Sequence, residues 1–269
     1  MSNNLPTARQ IAAARPRDLS EIHGCDEAKS FLSSHLLSEG QGPDFLITGD
    51  PGTGKTTLLT AYLRALVCPH RYGDPIRHCN ECSACKSFDV NYQDAGIYAT
   101  FRLRREGQEE LHYYPVNCGT VTAEELRSIV VDGRRDFQGR FVVVLQEAQF
   151  LALRQLYRGL LSVMDNDKLN ILWIADTAHP ENLDPMFIRR FSRVCTTSTD
   201  EQKLALHLAD RCCEWGLVVD DPALLGEVSR RSRGVIAECY RVLAQAALST
   251  DRRLTRSIVD AYPYLNRGA

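Results

Sequence analysis

The segment that most constrains this chain is Gly49-Asp50-Pro51-Gly52-Thr53-Gly54-Lys55-Thr56, because of what stands on either side of it. Asp44 to Thr48 reads as a short buried strand, and Leu58 to Leu66 as an apolar helix. A strand that turns into a helix through G-x-x-x-x-G-K-[ST] has one well-understood use. Its glycines let backbone N–H groups turn inward around phosphate oxygens, Lys55 reaches the terminal phosphates, and the Thr56 hydroxyl is placed for Mg²⁺. The loop through Thr57 is therefore expected to bind nucleotide. Lysine is otherwise scarce: Lys29, Lys86, Lys168 and Lys203 are the only others among 32 basic residues, so a lysine in this loop stands out.

Phe141 to Leu145 and Ile171 to Ala175 are continuous apolar runs of the kind buried on both faces of a parallel sheet. Helical patterns separate them: Thr122 and Glu125 form a capping box ahead of Leu126, and Leu151 to Met164 has helical spacing. Ile97 to Arg104 and Glu110 to Val116 read as a hairpin. The fold class is α/β with a parallel sheet. Strand signals stop after Thr196, and helices follow over Asp200–Trp215, Pro222–Ser232, Val235–Leu248 and roughly Thr255–Tyr262. The boundary is placed where Thr197-Ser198-Thr199-Asp200 supplies linker and cap, giving a nucleotide-binding domain over 1–198 and a small helical domain over 199–269.

Cys68, Cys79, Cys82 and Cys85 are spaced C-x₁₀-C-x₂-C-x₂-C, which suits a closed tetrahedral zinc site of structural type, inserted at about residues 68–88. His78 is read as a neighbour of that set and not a ligand. The alternative is a group of reduced thiols. Cys25, Cys118, Cys195, Cys212, Cys213 and Cys239 have no such spacing and read as small buried hydrophobes.

Composition sets limits. With 269 residues, 44% hydrophobic and 25% charged, the chain is of ordinary globular type, and no apolar run approaches the ~18 residues of a membrane span. The N-terminus carries no leader pattern, so the expected location is the cytoplasm, without membrane association. A net charge of −2 excludes a globally basic nucleic-acid binder but not a local basic face.

Taken together, these motifs resemble the ATPase subunits of bacterial DNA polymerase III clamp loaders, of the gamma/tau and delta-prime types, within the AAA+ superfamily. The likeness runs from about residue 14 to about residue 248. Ala14 to Cys25 resembles the family's R-P-x-x-F-x-x-V-x-G-Q opening, which implies that Arg15, Pro16, Ile22 and His23 lie against the adenine. The four-cysteine insert resembles the family's zinc module. Gly139 to Gln149 resembles the strand that ends in D-E-x-H, with Glu147 polarising the attacking water and Gln146 in place of the aspartate. Asp176 and Thr177 fall at the first sensor. Arg190, or less suitably Arg189, falls at the arginine finger that reaches ATP on a neighbouring subunit. The resemblance implies a five-stranded parallel sheet in the order 5-1-4-3-2 and a helical lid.

Three departures stand out: Gln146, Gln149 for the motif histidine, and Ala237 for the lid arginine. The first two put ordinary hydrolysis in doubt and suggest slow or conditional turnover; alternatively, Gln146 and Glu147 are merely polar strand-end residues. The 269 residues read as ATPase domain and lid without the family's helical collar, so a ring is expected to form by ATPase-domain contacts or with other proteins.

The resulting expectation is a clamp-loader-like ATPase that binds ATP with Mg²⁺, carries structural Zn²⁺, and oligomerises with itself or related subunits. It would act on DNA or on a DNA-bound partner such as a sliding clamp. Arg102, Arg104, Arg105, Arg134, Arg135 and Arg140 are candidates for a DNA-tracking face, or equally for a solvated one. Two other readings remain open: a catalytically weak, nucleotide-dependent scaffold, and a regulator from a mobile element, phage or defence system that recruits a nuclease, transposase or helicase.

Overall fold

The computed structural model describes residues 5–38, 41–95, 100–104, 110–128, 139–165 and 170–263. The chain divides into two compact units, one of residues 16–196 and one of residues 1–15 with 197–269.

In the first unit, β1 (Phe45–Thr48) leads through the glycine loop into α3 (Lys55–Val67), which follows α1 (Ala8–Ala13, of the other unit) and α2 (Asp26–Leu37). Next come α4 (Ser83–Ala95), β2 (Phe101–Arg104), β3 (Glu110–Asn117) and a helix, α5, described over residues 123–128. Then follow β4 (Gly139–Gln146), α6 (Gln149–Leu153), α7 (Tyr157–Met164), β5 (Ile171–Thr177), α8 (Pro185–Ile188) and β6 (Ser192–Cys195).

The strands form one sheet in the order β2-β3-β4-β5-β1-β6. Its last five strands are parallel and have the expected order, and β2 pairs antiparallel with β3, as the hairpin reading anticipated. Residues 97–99 of that reading lie outside the described residues. Sequence periodicity had not identified β6, a four-residue strand with only Val194 buried.

Both faces of the sheet are covered, which explains the unbroken apolar runs. Phe45, Ile47, Val142, Val144, Leu172 and Ile174 pack with Leu32, Leu58 and Tyr62 of α2 and α3. The alternate residues Leu46, Val143, Leu145 and Trp173 pack with Leu151, Leu160 and Phe187 on the other side. The Thr122 capping box is present, with Glu125 N–H donating to Thr122 Oγ1 (3.1 Å) and Thr122 N–H to Glu125 Oε2 (2.7 Å).

The single helix expected over Leu151–Met164 is two helices. Gln155 takes a left-handed conformation (φ 55°), and Leu156 N–H bonds back to Leu151 O at 3.0 Å and Gln155 N–H to Ala152 O at 3.1 Å. That is a Schellman stop without the glycine that usually announces it.

The second unit contains α9 (Glu201–Glu214), α10 (Ala223–Arg231), α11 (Ile236–Leu248) and α12 (Arg256–Ala261), each within a residue or two of its expected range. Strand structure does not end at Thr196: β7 (Val218–Val219) and β8 (Arg253–Leu254) form a two-residue parallel pair. Asp200 caps α9, accepting from Gln202 N–H at 3.1 Å and Lys203 N–H at 3.0 Å. The expected division at residue 198 also differs at the N-terminus. Residues 1–15 group with the helical unit because Ile11 of α1 is buried in its core with Leu208, Val242 and Leu243.

Of the six cysteines read as buried hydrophobes, Cys118, Cys212 and Cys239 are buried and Cys25 is half-buried, whereas Cys195 and Cys213 are exposed. Among the described residues no helix is long and apolar enough to cross a membrane.

Candidate nucleotide and metal sites

The loop between β1 and α3 has the shape its glycines require. Gly49, Gly52 and Gly54 have φ of 148°, 85° and 96°, a region that side chains rarely adopt. At Gly49 space is limiting as well: a Cβ there would stand 2.2 Å from Thr196 Oγ1 and 2.4 Å from Thr196 O. Thr196, just past β6, holds the loop, because its N–H donates to Thr48 O (2.7 Å) and its hydroxyl meets Thr53 Oγ1 (2.7 Å). Lys55 Nζ donates to Gly49 O (2.7 Å) and Asp50 O (3.0 Å), so the loop's own carbonyls hold the ammonium at its mouth. Thr56 is exposed at the start of α3, and Thr57 is half-buried.

This loop opens onto a cleft of about 760 Å³ at the C-terminal ends of the parallel strands, where open α/β sheets bind their ligands. Pro51, Lys55 and Thr56 line it with Asn117, Gln146, Glu147, Gln149 and Asp176. Adjacent strand ends bring these residues together: Asn117 of β3 pairs in register with Gln146 of β4, and Leu145 with Ala175, one residue short of Gln146 and Asp176.

Glu147 is exposed, with φ of 53°, and its N–H donates to Asp176 Oδ1 at 3.0 Å. Asp176 is only 9% exposed. Burial raises its pKa above the usual carboxylate value, and the nearby Glu147 charge adds to that, against the lowering effects of the Glu147 N–H and of Lys55.

The two residues expected at the first sensor therefore part company. Asp176 lines the cleft; Thr177 is fully buried, its hydroxyl donating to Gln149 Oε1 at 2.7 Å. Pro16, Ile22 and His23 do not line the cleft, and Ile22 is buried in the core beside α2 and α3. Arg15 belongs to the other unit and donates to Ala12 O and Ala14 O. Arg190 is engaged by Asp165 through two hydrogen bonds, Nε to Oδ1 at 2.7 Å and Nη2 to Oδ2 at 2.6 Å, while Arg189 is exposed.

Sequence reasoning missed Asn117, His179 and Asn182 in the cleft and Thr196 behind the loop. Asn117 directly follows Glu110 to Val116, the segment read as half of a hairpin, and the others carry no local signal. Among the candidate DNA-facing arginines, Arg105, Arg134 and Arg135 lie outside the described residues. Arg102 and Arg104 lie on β2, and Arg140 is half-buried on β4.

The cysteines assemble at the other end of α3. The sulfurs of Cys68, Cys79, Cys82 and Cys85 all lie within 4.8 Å of one another, with Cys79 and Cys85 at 4.0 Å. Tetrahedral zinc with Zn–S bonds of about 2.3 Å needs sulfurs roughly 3.8 Å apart, so the set fits the ion. Backbone N–H groups already point at the sulfurs, from Cys79 to Cys68 at 3.3 Å and from Cys82 to Cys79 at 3.4 Å. Against a desolvation that raises it, hydrogen bonds from the Glu81 and Cys82 N–H groups bring the Cys79 thiol down to about 6. His78 is not in the set: its buried ring bonds Asp18 Oδ1 through Nδ1 at 2.6 Å.

Comparison with known proteins agrees with this geometry. The family described as "ATPase family associated with various cellular activities (AAA)" matches residues 45–199. DNA polymerase III subunit tau/gamma of Haemophilus influenzae is 24% identical over 247 residues, which is 91% of this chain and 33% of that protein. DNA polymerase III subunit tau of Bacillus subtilis is 33% identical over 185 residues, 66% of this chain and 29% of that protein. The chain thus spans about a third or less of these curated relatives. In fold it is similar to the RuvB Holliday junction branch migration motor of Thermotoga maritima, with a TM-score of 0.62 at 16% identity, covering 93% of this chain and 71% of that one.

Proposed function

Because the chain belongs to the AAA family of ATPases, we propose that it is a clamp-loader-like subunit that binds ATP with Mg²⁺, joins other AAA+ subunits, and acts on DNA or a DNA-bound protein. The observation that carries this reading is the cleft, in which Lys55, Thr56 and Glu147 stand together over the glycine loop. The loop N–H groups and Lys55 hold the phosphates, and Thr56 holds the metal side. Mg²⁺, when bound, neutralises charge developing on the terminal phosphates. Glu147, exposed at the end of β4, orients the attacking water. Four thiolates hold zinc in a purely structural role.

Arg190 serves the neighbouring subunit. To do so it exchanges Asp165 for the neighbour's phosphates, so assembly and the loss of that ion pair are coupled. The relatives named as DNA polymerase III subunits support DNA as the working context.

The test is ATP turnover of the wild type beside Lys55→Ala, Glu147→Gln and Arg190→Ala, with and without primed or duplex DNA. The expected result is DNA-stimulated turnover that all three substitutions abolish. A second reading, a nucleotide-gated scaffold, is favoured by the neutral amide of Gln146 in the cleft; ATP binding with no turnover to lose would establish it.

A further inference from the structure

Magnesium sites of this kind take a carboxylate from the end of a core strand, in addition to the hydroxyl after the loop lysine. On β4 that position is Gln146, whose amide oxygen carries no net charge. The sheet brings another carboxylate to the same end of the cleft. Leu145 and Ala175 are register partners on parallel strands, so Gln146 and Asp176 are the next pair across β4 and β5, and both line the cleft. β5 also pairs with β1, with Asp176 opposite Ile47, two residues before the phosphate loop. The carboxylate thus sits one strand nearer the loop than Gln146 does.

Its surroundings are those of a group meant for a cation. Asp176 is nine-tenths buried, and its Oδ1 accepts the Glu147 N–H. Oδ2 accepts no hydrogen bond among the described residues and is not enclosed, in a side chain that lines the cleft. A carboxylate oxygen that faces the cleft is favoured in its charged form by a positive charge beside it. Lys55 contributes part of that charge but is anchored on Gly49 O and Asp50 O. Thr177 bonds Gln149 instead, so Asp176 stands alone as the acidic group of this strand end.

We propose that Asp176 supplies from β5 the carboxylate that Gln146 lacks on β4, so that Thr56 and Asp176 together make the Mg²⁺ side of the nucleotide site. The metal ligand set is then shifted by one strand, and Asp176 is a metal-site residue, not a sensor. This rests on the reading of the cleft as a site for ATP with Mg²⁺.

Calorimetric titration with ATP, in the presence of Mg²⁺ and in its absence, tests it without reference to turnover. Asp176→Asn keeps the acceptor for the Glu147 N–H, and its thermal melting is compared with that of the wild type. Expected is a fall of about 10- to 100-fold in the affinity for ATP with Mg²⁺, the range seen when a group supporting a metal is lost, with metal-free ATP bound as well as before. The double variant Gln146→Asp/Asp176→Asn, which moves the carboxylate back to β4, is expected to recover most of the Mg²⁺ effect. An Asp176→Asn protein with the wild-type Mg²⁺ effect would overturn the inference and leave nucleotide binding intact. So would a double variant no better than the single one. A wild type that binds ATP under neither condition would overturn the functional reading and this inference with it.

Discussion

The two ends of α3 hold the two candidate sites of the first unit, and they are built on opposite principles. At Lys55 the helix begins, and its free N–H groups and positive dipole end favour an anion. At Cys68 it ends, at the negative end of the helix dipole. The N-terminal site is made of backbone shape: three glycines with positive φ, braced by Thr196, leave the loop open before any ligand arrives. The C-terminal site is made of side-chain chemistry. Four sulfurs within 4.8 Å repel one another as thiolates and need a cation to stay together. One site awaits its ligand; the other depends on it.

That contrast is most easily broken by stripping the metal. Chelation or Cys85→Ser should release one zinc and cost several kcal/mol of stability, against apparent binding energies of about 10–16 kcal/mol for structural zinc. Metal analysis with thermal melting checks this, and an unchanged melting temperature would make the cysteine end as self-sufficient as the loop.

Next in size is a pH effect at the strand that feeds the loop. Burial raises Asp44 to about 6, against the lowering effect of the Trp173 N–H it accepts at 2.9 Å. Between its ordinary value and about 6 the folded protein holds a proton that the unfolded chain has released. This group's contribution to stability therefore declines as pH rises through that window. Asp44→Asn keeps the acceptor and removes the decline. It should stabilise the protein by up to about 3 kcal/mol at pH 7–8 and have little effect near pH 4. Denaturant titrations at pH 4, 5, 6 and 8 would show whether the two curves converge at the acid end.

Lys55→Ala should weaken ATP binding by about 1.5–3 kcal/mol, or roughly 10- to 150-fold, by removing a charge-assisted hydrogen bond. Melting without nucleotide should hardly change, since the loop is shaped by its glycine backbone and not by the ammonium. A large stability loss would mean that the loop, too, depends on its side chain.

The smallest effect sharpens the comparison further. Thr196→Val removes the hydroxyl that meets Thr53 and leaves the N–H bonded to Thr48 O. A cost of about 1 kcal/mol is expected, with nucleotide affinity reduced only slightly if backbone geometry shapes the loop.

Much of this was legible in the chain, wherever a local rule was strong. The strand-loop-helix unit, the cysteine set and the helices of the second unit follow from residue types at short spacing. Helix stops show where legibility ended. α9 stops at Gly216, whose φ of 61° is what a glycine signals. α6 stops at Gln155 with nearly the same conformation and no signal at all. Likewise the cleft needed Asn117, one residue past the Glu110 to Val116 segment read as half of a hairpin, whereas β3 also pairs along its length with β4.

By itself, then, the sequence determined the phosphate loop, the four thiols and the α/β class, because each rests on contacts between residues close in the chain or on side-chain chemistry that no neighbour alters. Tertiary structure decided which of two adjacent residues faces the cleft, Asp176 and not Thr177, and which strand end carries the charge that Gln146 lacks. It also decided that Arg190 rests on Asp165 and that residues 1–15 join the helical unit. Those outcomes depend on strand register and on packing between distant segments, and a pleat that sends alternate side chains to opposite faces does not reveal, from one strand alone, which face a neighbour will cover.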